Sequence, residues 1–339
     1  MNAKIKGPIA IYYIKRRIGA QREVFSVKSK TYDVVIVGAG PAGLTAGIFA
    51  IRRALKIIIL HDPGCRPTPN EATIVDDWIG TPHITGTRLM KKFRKHAELM
   101  GVPIEGEKVK GIEKAKDGFR IIGEGGVFEA KTVILATGAM HRRAEVPGEK
   151  EFTGRGVFYC ANCEGPFFRG KKVLIAGGGD TAATYALLLH QIGADTILIH
   201  RRDELRAVES YRKQLANSKV RIIWNSIIKE IKGGKFVKSV VVEDLKTHKL
   251  TELPMDGVFI AIGSVPMSEM VKGLDVKVNP AGYIAVDKEG RTNVPGLFAA
   301  GDIADNPTKR IVTACADGSK AAEAAYMYVQ EKKLMAGKK

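Results

Sequence analysis

The 339-residue sequence is short of cysteine, of acidic residues and of long apolar runs, and each shortage narrows the class of protein. Four cysteines are too few for the disulfide framework of a secreted protein of this length. No apolar run approaches the roughly 20 residues that cross a bilayer, so no membrane partner is expected. We therefore expect a cytoplasmic protein, in which closely spaced cysteines are catalytic or metal-binding.

The shortage of acidic residues leaves the chain strongly basic, with 54 lysines and arginines against 36 acids and a net charge of +18. A lysine-rich solvated surface is the simplest explanation, although the same field would attract anionic cofactors and an acidic protein partner. The sequence lacks interleaved aromatic residues and any nucleic-acid-binding module, so no nucleic-acid partner is expected. Its apolar content of 45% is ample for packed cores in two or three domains.

Residues 1–30 differ in composition from the rest of the chain. They contain eight lysines or arginines and a single acid, Glu23. Their apolar patch at residues 9–14 is too short for the apolar region of a secretory signal. We describe residues 1–30 as a basic N-terminal extension and assign it no function.

A glycine-rich loop follows the first predicted strand, the apolar run 32–37, and precedes a helix of small residues. Its spacing is G-x-G-x-x-G, which permits a tight turn, lets a pyrophosphate approach the backbone and lets the helix pack on the strand. The N-terminus of that helix adds free N–H groups and partial positive charge. The pattern predicts a dinucleotide site. Its loop residues are Gly38, Gly40, Pro41, Ala42 and Gly43.

Asp62 stands at the end of the second predicted strand, about 20 residues beyond this loop. An acid at that distance is expected to bind a ribose hydroxyl. The alternative is that Asp62 only begins the turn at Pro63-Gly64.

A second loop repeats the pattern as G-x-G-x-x-A, again between a predicted strand (172–176) and a helix (181–192). The strand after it ends in arginines instead of an acid, and arginine suits the 2′-phosphate that distinguishes NADPH from NADH. The alternative is that the arginines only solvate a strand end. The predicted binding residues are Gly177, Gly178, Gly179, Asp180, Thr181, Ala182, His200, Arg201, Arg202 and Arg206.

The two remaining features of the sequence are a C-x-x-C pair, Cys160 and Cys163, and a set of strand ends without glycine loops of their own. One thiol of such a pair attacks a partner while the other resolves the mixed disulfide. Zinc normally needs a second pair or histidines at ligand spacing, so no metal is expected. Two nucleotide sites and one dithiol indicate an electron relay, for which a flavin is the suitable carrier between nicotinamide and sulfur.

The order of the predicted elements indicates an α/β fold with two Rossmann-like, three-layer nucleotide-binding domains. Because the strand that ends at Gly301 has no nucleotide loop of its own, we place it in the first domain. The second domain is then an insertion into the first. The expected boundaries are 31–145 with 267–339 for the FAD domain, and 146–266 for the NADPH domain that carries the cysteines.

From residue 32 to about residue 328 the sequence closely resembles the low-molecular-weight thioredoxin reductases, which are class II pyridine nucleotide-disulfide oxidoreductases. The resemblance implies FAD at the first loop, NADPH at the second, a homodimer, and a thioredoxin or glutaredoxin-like protein disulfide as substrate. The matching pieces are Gly38–Gly43, Ala136–Ala139, Cys160–Gly165, Gly177–Ala182, His200–Arg206 and Ala300–Asp302.

The resemblance also assigns roles to single residues. It implies that Cys163 is the thiol nearest the flavin and that Cys160 attacks the disulfide of the partner. Glu164 stands where the family usually has an aspartate that moves protons to and from the thiols. Asp302 would bind the ribityl chain of FAD. Cofactor contacts are also implied at the small-residue turns Ala136, Gly138 and Gly301.

The sequence departs from the family pattern around the flavin. Asp77 replaces a common asparagine, and Lys309, Arg310 and Ile311 replace the usual Arg-Gln-Ala. We expect Asp77 and Arg310 to form an ion pair near the isoalloxazine and to alter its potential. The stretch 66–69, Arg-Pro-Thr-Pro, replaces a Gly-Gly-Gln loop.

After the second loop, Thr184-Tyr185 replaces a pair of glutamates, so alternatives stay open for the electron donor. The main hypothesis is an NADPH-dependent, FAD-containing thioredoxin-disulfide reductase. The alternatives are a related enzyme fed by reduced ferredoxin or NADH, and a nucleotide-binding redox sensor without turnover. A domain rotation is also implied, with hinges expected near 145–148 and 265–266.

Overall fold

The computed structural model describes residues 31–72 and 74–336. The basic extension predicted at residues 1–30 lies outside the described residues. The strands are β1 (Thr31–Val37), β2 (Ile57–His61), β3 (Ile104–Gly106), β4 (Val109–Ala115), β5 (Gly118–Gly123), β6 (Val127–Leu135), β7 (Ala139–His141), β8 (Val157–Phe158), β9 (Lys172–Gly177), β10 (Asp195–Ile199), β11 (Arg221–Ile223), β12 (Ser226–Gly233), β13 (Val237–Asp244), β14 (Leu250–Pro254), β15 (Gly257–Ala261), β16 (Ser264–Pro266) and β17 (Leu297–Ala299).

Seven α-helices and four short 3₁₀ helices complete the secondary structure of the described residues. The α-helices are α1 (Pro41–Arg52), α2 (Gly86–Leu99), α3 (Glu149–Phe152), α4 (Ala161–Glu164), α5 (Asp180–Gln191), α6 (Glu209–Ala216) and α7 (Ile311–Ala336). The 3₁₀ helices are Thr68–Glu71, Gly165–Phe168, Glu269–Leu274 and Gly301–Ile303. No helix in these two ranges is both long and apolar enough to cross a bilayer.

The first sheet has seven strands in the order β3-β2-β1-β6-β5-β4, and β17 also pairs with β6. Strands β3, β2, β1, β6 and β17 run parallel, whereas β4, β5 and β6 form an antiparallel meander. Alternate residues of β1 enter two different cores: Val34 and Ile36 pack with residues of α1 and α7, and Val35 and Val37 pack on the opposite face. This alternation explains why residues 34–37 are all apolar.

The second sheet is fully parallel, with the order β11-β10-β9-β15-β8. Val173 and Ile175 of β9 pack with α5, whereas Leu174 and Ala176 pack against the three-stranded antiparallel sheet β12-β13-β14. Both sheets are therefore covered on two faces. This confirms the predicted α/β fold with two Rossmann-like regions.

The chain leaves the first sheet after β6 and returns to it at β17. Between them, β7 and β16 pair antiparallel, so that the outgoing and the returning segments lie side by side. The long helix α7 then packs against α1. The position of β17 beside β6 agrees with the placement of Gly301 in the first domain, while the domain boundaries themselves stay a prediction.

Candidate active site

One continuous cleft is lined by residues of both the seven-stranded and the five-stranded sheet, and both glycine loops and the cysteine pair open into it. The carboxyl ends of β1 and β9 supply the loops, as expected for ligand sites in open parallel sheets. The short segment β8-α4 carries the cysteines between them. The cleft therefore brings together the three features that the sequence analysis singled out.

The first loop forms a concave surface whose shape depends on its glycines, which have no side chain. Gly38 has φ +114°, and a Cβ there would lie 2.3 Å from the carbonyl oxygen of Ala136. A Cβ on Gly43 would lie 1.9 Å from the Gly38 carbonyl oxygen, whereas one on Gly40 would meet nothing within 4 Å. Gly40 also begins α1 without a side-chain cap, so its first N–H groups are available to an anion.

Two buried hydrogen-bond acceptors on the far wall of the cleft are also suited to a bound cofactor. Asn70 Oδ1 and Glu71 Oε2 line the cleft and have no hydrogen-bond partner among the described residues. A buried acceptor without a donor costs about 1–3 kcal/mol, so a ligand with N–H or O–H groups would stabilise this wall. Neither residue was singled out from the sequence, because a Pro-Asn-Glu turn has no distinctive pattern.

The predicted ribose and ribityl ligands both reach the cleft. Asp62 follows β2, where its Oδ1 accepts a hydrogen bond from the Gly64 N–H at 2.8 Å and its Oδ2 lies 3.7 Å from Lys108 Nζ. Asp62 therefore begins the turn and also lines the cleft, while its contact with a ribose stays a prediction. Asp302 is deeply placed, and burial raises the pKa of its carboxyl above the ordinary value.

Of the remaining predicted flavin-side residues, Ala136, Gly138, Gly301, Arg310 and Ile311 also line the cleft. Lys309 lines it too, but its ammonium donates to the backbone carbonyls of Asp302 and Ala304 and lies 4.3 Å from the centre of the Tyr283 ring. Burial lowers the pKa of Lys309. Lys309 thus also fixes the turn after β17.

The second loop is built on a contact between a glycine and a histidine. A Cβ on Gly178 would lie 2.1 Å from His200 Cε1, while one on Gly179 would meet nothing within 4 Å. His200 is only 6% exposed, burial lowers its pKa, and its Nε2 has no hydrogen-bond partner among the described residues. An open loop beside an unpartnered imidazole nitrogen fits a nucleotide with phosphate groups.

The other predicted residues of the second loop divide into three groups. Gly177, Gly179, Thr181, Arg201 and Arg206 line the main cleft. Ala182 is buried beneath it, and Arg202 lines a smaller depression beside it together with Arg206. Asp180 lines the cleft and also accepts the Val208 N–H at 2.8 Å, so it holds the loop that carries the arginines.

Cys160 and Cys163 form a disulfide, with their Cα atoms 5.3 Å apart. The single turn of α4 makes this spacing possible, because the N–H groups of Cys163 and Glu164 both donate to the Cys160 carbonyl at 3.2 Å. Glu164 is 3% exposed, and a carboxylate oxygen and the two sulfurs all lie within 4.8 Å of one another. A carboxyl at this distance can hand a proton to either sulfur through a small adjustment.

Arg310 approaches the disulfide from the other side of the cleft. Its Nη1 lies 3.9 Å from Cys160 Sγ, 4.0 Å from Cys163 Sγ and 3.9 Å from Asp77 Oδ2. The expected pairing of Asp77 and Arg310 is thus present in the structure. The contact with both sulfurs was not anticipated, because it depends on how the two sheets face each other.

A cluster around Tyr159, the residue before Cys160, was also missed. Its hydroxyl donates to Glu149 Oε1 at 2.7 Å, and burial, the larger cause, together with this carboxylate raises its pKa to about 12. The Arg143 guanidinium lies 4.2 Å from the Tyr159 ring centre, and the His141 ring stacks at 5.3 Å. No short motif marks this cluster, since its members come from separate segments.

The comparisons with known proteins point in one direction. The profile of the pyridine nucleotide-disulphide oxidoreductase family matches residues 32–318. A thioredoxin reductase of Treponema pallidum is 40% identical over 303 residues, covering 88% of this chain and 97% of that protein. The crystal structure of thioredoxin reductase from Streptococcus pyogenes is 39% identical, with a TM-score of 0.83 over 89% of this chain and 99% of that one. A thioredoxin reductase from Giardia duodenalis is 35% identical, with a TM-score of 0.85 over 89% and 100%.

Proposed function

The chain belongs to the pyridine nucleotide-disulphide oxidoreductase family, and we propose that it reduces the disulfide of a thioredoxin through Cys160 and Cys163. It is an oxidoreductase, and the cofactors of its family and of its thioredoxin reductase homologues are FAD and NADPH. The observation that carries the proposal is the position of the Cys160–Cys163 disulfide. It lies in the same cleft as two glycine loops, each of which has one glycine, Gly40 or Gly179, with open space beside it. A structural disulfide would not need two nucleotide cradles beside it.

In the proposed mechanism each cradle holds one cofactor. The residues of the first loop, with Asp302 and the unpartnered acceptors of Asn70 and Glu71, would hold FAD. Gly177 to Gly179 and the arginines after β10 would hold NADPH. FAD, when bound, supplies a carrier that takes a hydride and passes an electron pair to sulfur.

The chemistry of the cysteine pair follows from electron and proton balance. When two electrons reach the disulfide, the S–S bond breaks, one sulfur becomes a thiolate and the other takes up one proton as a thiol. Glu164 is placed to give or take that proton. The thiolate of Cys160 then attacks the disulfide of the partner, and Cys163 gives its proton to Glu164 and attacks the mixed disulfide. The Cys160–Cys163 bond forms again, and the two sulfurs of the partner take up one proton from Glu164 and one from water to leave as a dithiol.

NADPH is preferred to NADH in this proposal because of the charges that follow β10. Arg201 and Arg206 line the cleft beside the second loop, where a 2′-phosphate would be expected. A ferredoxin-fed reductase, an NADH-fed reductase and a sensor without turnover are not favoured by relatives that are called thioredoxin reductases. A glutaredoxin-like partner remains part of the same proposal.

Assembly, location and motion are further parts of the proposal, and they rest on the resemblance. We propose a homodimer, and a cytoplasmic location in which NADPH keeps the pair reduced. We also propose the domain boundaries 31–145 with 267–339 and 146–266, with a rotation between them about hinges near 145–148 and 265–266, next to the paired segments β7 and β16. Such a rotation would let the dithiol meet the flavin in one state and an external disulfide in the other.

An anaerobic titration of the FAD-loaded protein tests the proposed donor. NADPH should bleach the flavin at lower concentration than NADH; bleaching by another donor but not by NADPH would overturn the assignment. Cys160→Ser should abolish thioredoxin reduction and leave flavin reduction intact. Cys65→Ser, which changes an exposed cysteine outside the pair, is the matched control and should keep full turnover. Turnover that survives in Cys160→Ser would contradict the relay.

A further inference from the structure

We propose that Arg310 binds the cysteine thiolate produced when the Cys160–Cys163 disulfide is opened, and so holds the reduced pair ready on the flavin side of the cleft. The proposal deepens the proposed function and rests on it. It concerns a residue that carries a permanent positive charge. It therefore assigns to this chain an electrostatic element that a glutamine cannot supply.

The geometry places one cation against both reacting atoms. Arg310 Nη1 is 3.9 Å from Cys160 Sγ and 4.0 Å from Cys163 Sγ, within the range of an N–H···S hydrogen bond. The near-equal distances mean that the guanidinium serves a thiolate on either sulfur. Arginine keeps its charge under all physiological conditions, so the contact does not depend on its protonation.

The backbone of Arg310 is anchored at the start of α7. Arg310 immediately precedes α7, and its N–H donates to Thr313 Oγ1 at 3.1 Å. The start of α7 thus anchors the residue, while the side chain extends toward α4. Its 29% exposure leaves the guanidinium partly shielded from water, which preserves more of its interaction with sulfur than full exposure would.

The charged and titratable groups around the sulfurs come from four different segments. Arg310 supplies the positive charge and Asp77 opposes it at 3.9 Å. Glu164 lies beside the sulfurs on α4, and Tyr185 of α5 is close enough that Arg310 acts to lower its pKa and Glu164 acts to raise it. Burial is the larger cause and raises the Tyr185 pKa, so this hydroxyl stays neutral at physiological pH.

The net effect favours a thiolate because Arg310 contacts both sulfurs whereas Asp77 contacts the guanidinium. A cation within about 4–6 Å favours the ionised form of an acid by about one to three pH units. Partial exposure of Arg310 and the carboxylates of Asp77 and Glu164 reduce this effect. We therefore expect about one pH unit.

The contact joins two parts of the fold that are separate in the chain. Arg310 follows β17 in the first sheet, whereas the cysteines lie on the segment that enters the second sheet. The positive charge consequently acts on the thiolate only while these parts keep the present arrangement. A reduced pair that moved away to meet an external disulfide would leave Arg310 behind, and Glu164 would be the remaining proton-transfer group.

The test measures thiolate formation without NADPH or thioredoxin. The FAD-loaded protein is reduced with a chemical thiol, freed of it under anaerobic conditions, and alkylated with iodoacetamide at a series of pH values. Mass spectrometry then quantifies the peptide that contains Cys160 and Cys163. In Arg310→Gln the midpoint of the alkylation profile should rise by about one pH unit, and Arg310→Lys should retain part of the wild-type shift. Arg120→Gln, an exposed arginine on β5, is the matched control and should leave the midpoint unchanged.

Two measurements separate the possible results. Equal flavin content and equal unfolding transitions show that each variant is folded. Identical alkylation profiles in the wild-type protein and Arg310→Gln would overturn the proposal, even if thioredoxin reduction were intact. In another result, the alkylation profile of Arg310→Gln is shifted while NADPH does not bleach the flavin of the wild-type protein. That result would support the role of Arg310 and reject NADPH as the electron donor. If Arg310→Lys behaves like Arg310→Gln in a folded protein, charge is not the operative property and the proposal also fails.

Discussion

Alanine substitutions at Gly178 and Gly179 should separate the two uses that the second loop makes of its glycines. In Gly178→Ala the new Cβ would lie 2.1 Å from His200 Cε1, so the imidazole or the backbone must move. Overpacking of a filled site costs about 1–3 kcal/mol in stability. Because His200 is nearly fully buried, either movement also displaces it from beneath the loop.

Gly179→Ala should behave differently, since its Cβ would meet nothing within 4 Å. Alanine there has a backbone with φ −99°, which any residue adopts. Alanine lowers the conformational entropy of the unfolded chain, which stabilises the folded protein by about 0.4–1 kcal/mol. Alanine is also a poorer N-cap residue for α5 than glycine, which offsets this gain by a few tenths to ~1 kcal/mol. Stability should therefore change by less than about 1 kcal/mol.

NADPH binding should weaken in Gly179→Ala. The Gly179 methyl would project into the space where a pyrophosphate must approach the backbone, so we expect the KM for NADPH to rise about tenfold, or ~1.4 kcal/mol. Denaturant unfolding gives the stability, and steady-state kinetics with NADPH gives the KM. The reasoning is wrong if Gly179→Ala loses as much stability as Gly178→Ala, or if its KM for NADPH matches that of the wild-type protein.

Three other changes test the surroundings of the site. Arg201→Ala should raise the KM for NADPH about tenfold and leave that for NADH nearly unchanged, which kinetics with both donors would check. Glu149→Gln should cost about 1–3 kcal/mol in denaturant unfolding, because it weakens a buried acceptor that serves the Tyr159 hydroxyl and two backbone N–H groups; an unchanged transition would contradict this. Burial lowers the pKa of His141 in the folded protein, so the unfolded chain takes up a proton more readily as the pH falls below about 6.5. Stability should decrease from pH 7 to pH 5, and His141→Gln should flatten that decrease in melting temperature.

Local patterns were sufficient to predict the nucleotide cradles. Each cradle joins a strand of apolar residues to a helix of small residues, and the glycines between them leave a recognisable spacing. The return of β17 to the first sheet could also be predicted, because a strand that ends in Gly301-Asp302 without its own loop must complete an existing sheet.

Contacts between distant segments could not be predicted in the same way. Arg310 lies 147 residues from Cys163 in the chain, so its approach to the sulfurs depends on how the two sheets are arranged. The antiparallel sheet β12-β13-β14 and the short pairing of β7 with β16 were also missed. β7 and β16 have three residues each, too few to show the alternation that identifies a strand, and β14 has no buried residue.

The carboxylate of Glu149 has a mechanical consequence for any motion of the dithiol. It accepts the N–H groups of Ala144 and Glu145 as well as the hydroxyl of Tyr159, so the connecting segment and the residue before Cys160 are tied to the same buried group. The ties on the other side are weaker, because the Arg143–Glu71 ion pair is about one-third exposed, and such pairs contribute only about 0–1 kcal/mol.

A torque applied to the second sheet would therefore release Arg143 from Glu71 before it released Tyr159 from Glu149. The hinge would then lie before Ala144 instead of at the expected 145–148. The segment from Ala144 to Glu149 would move together with Tyr159 and the disulfide. The strength of the Arg143–Glu71 ion pair would then set the rate at which the dithiol changes position, independently of the rate at which its sulfurs react.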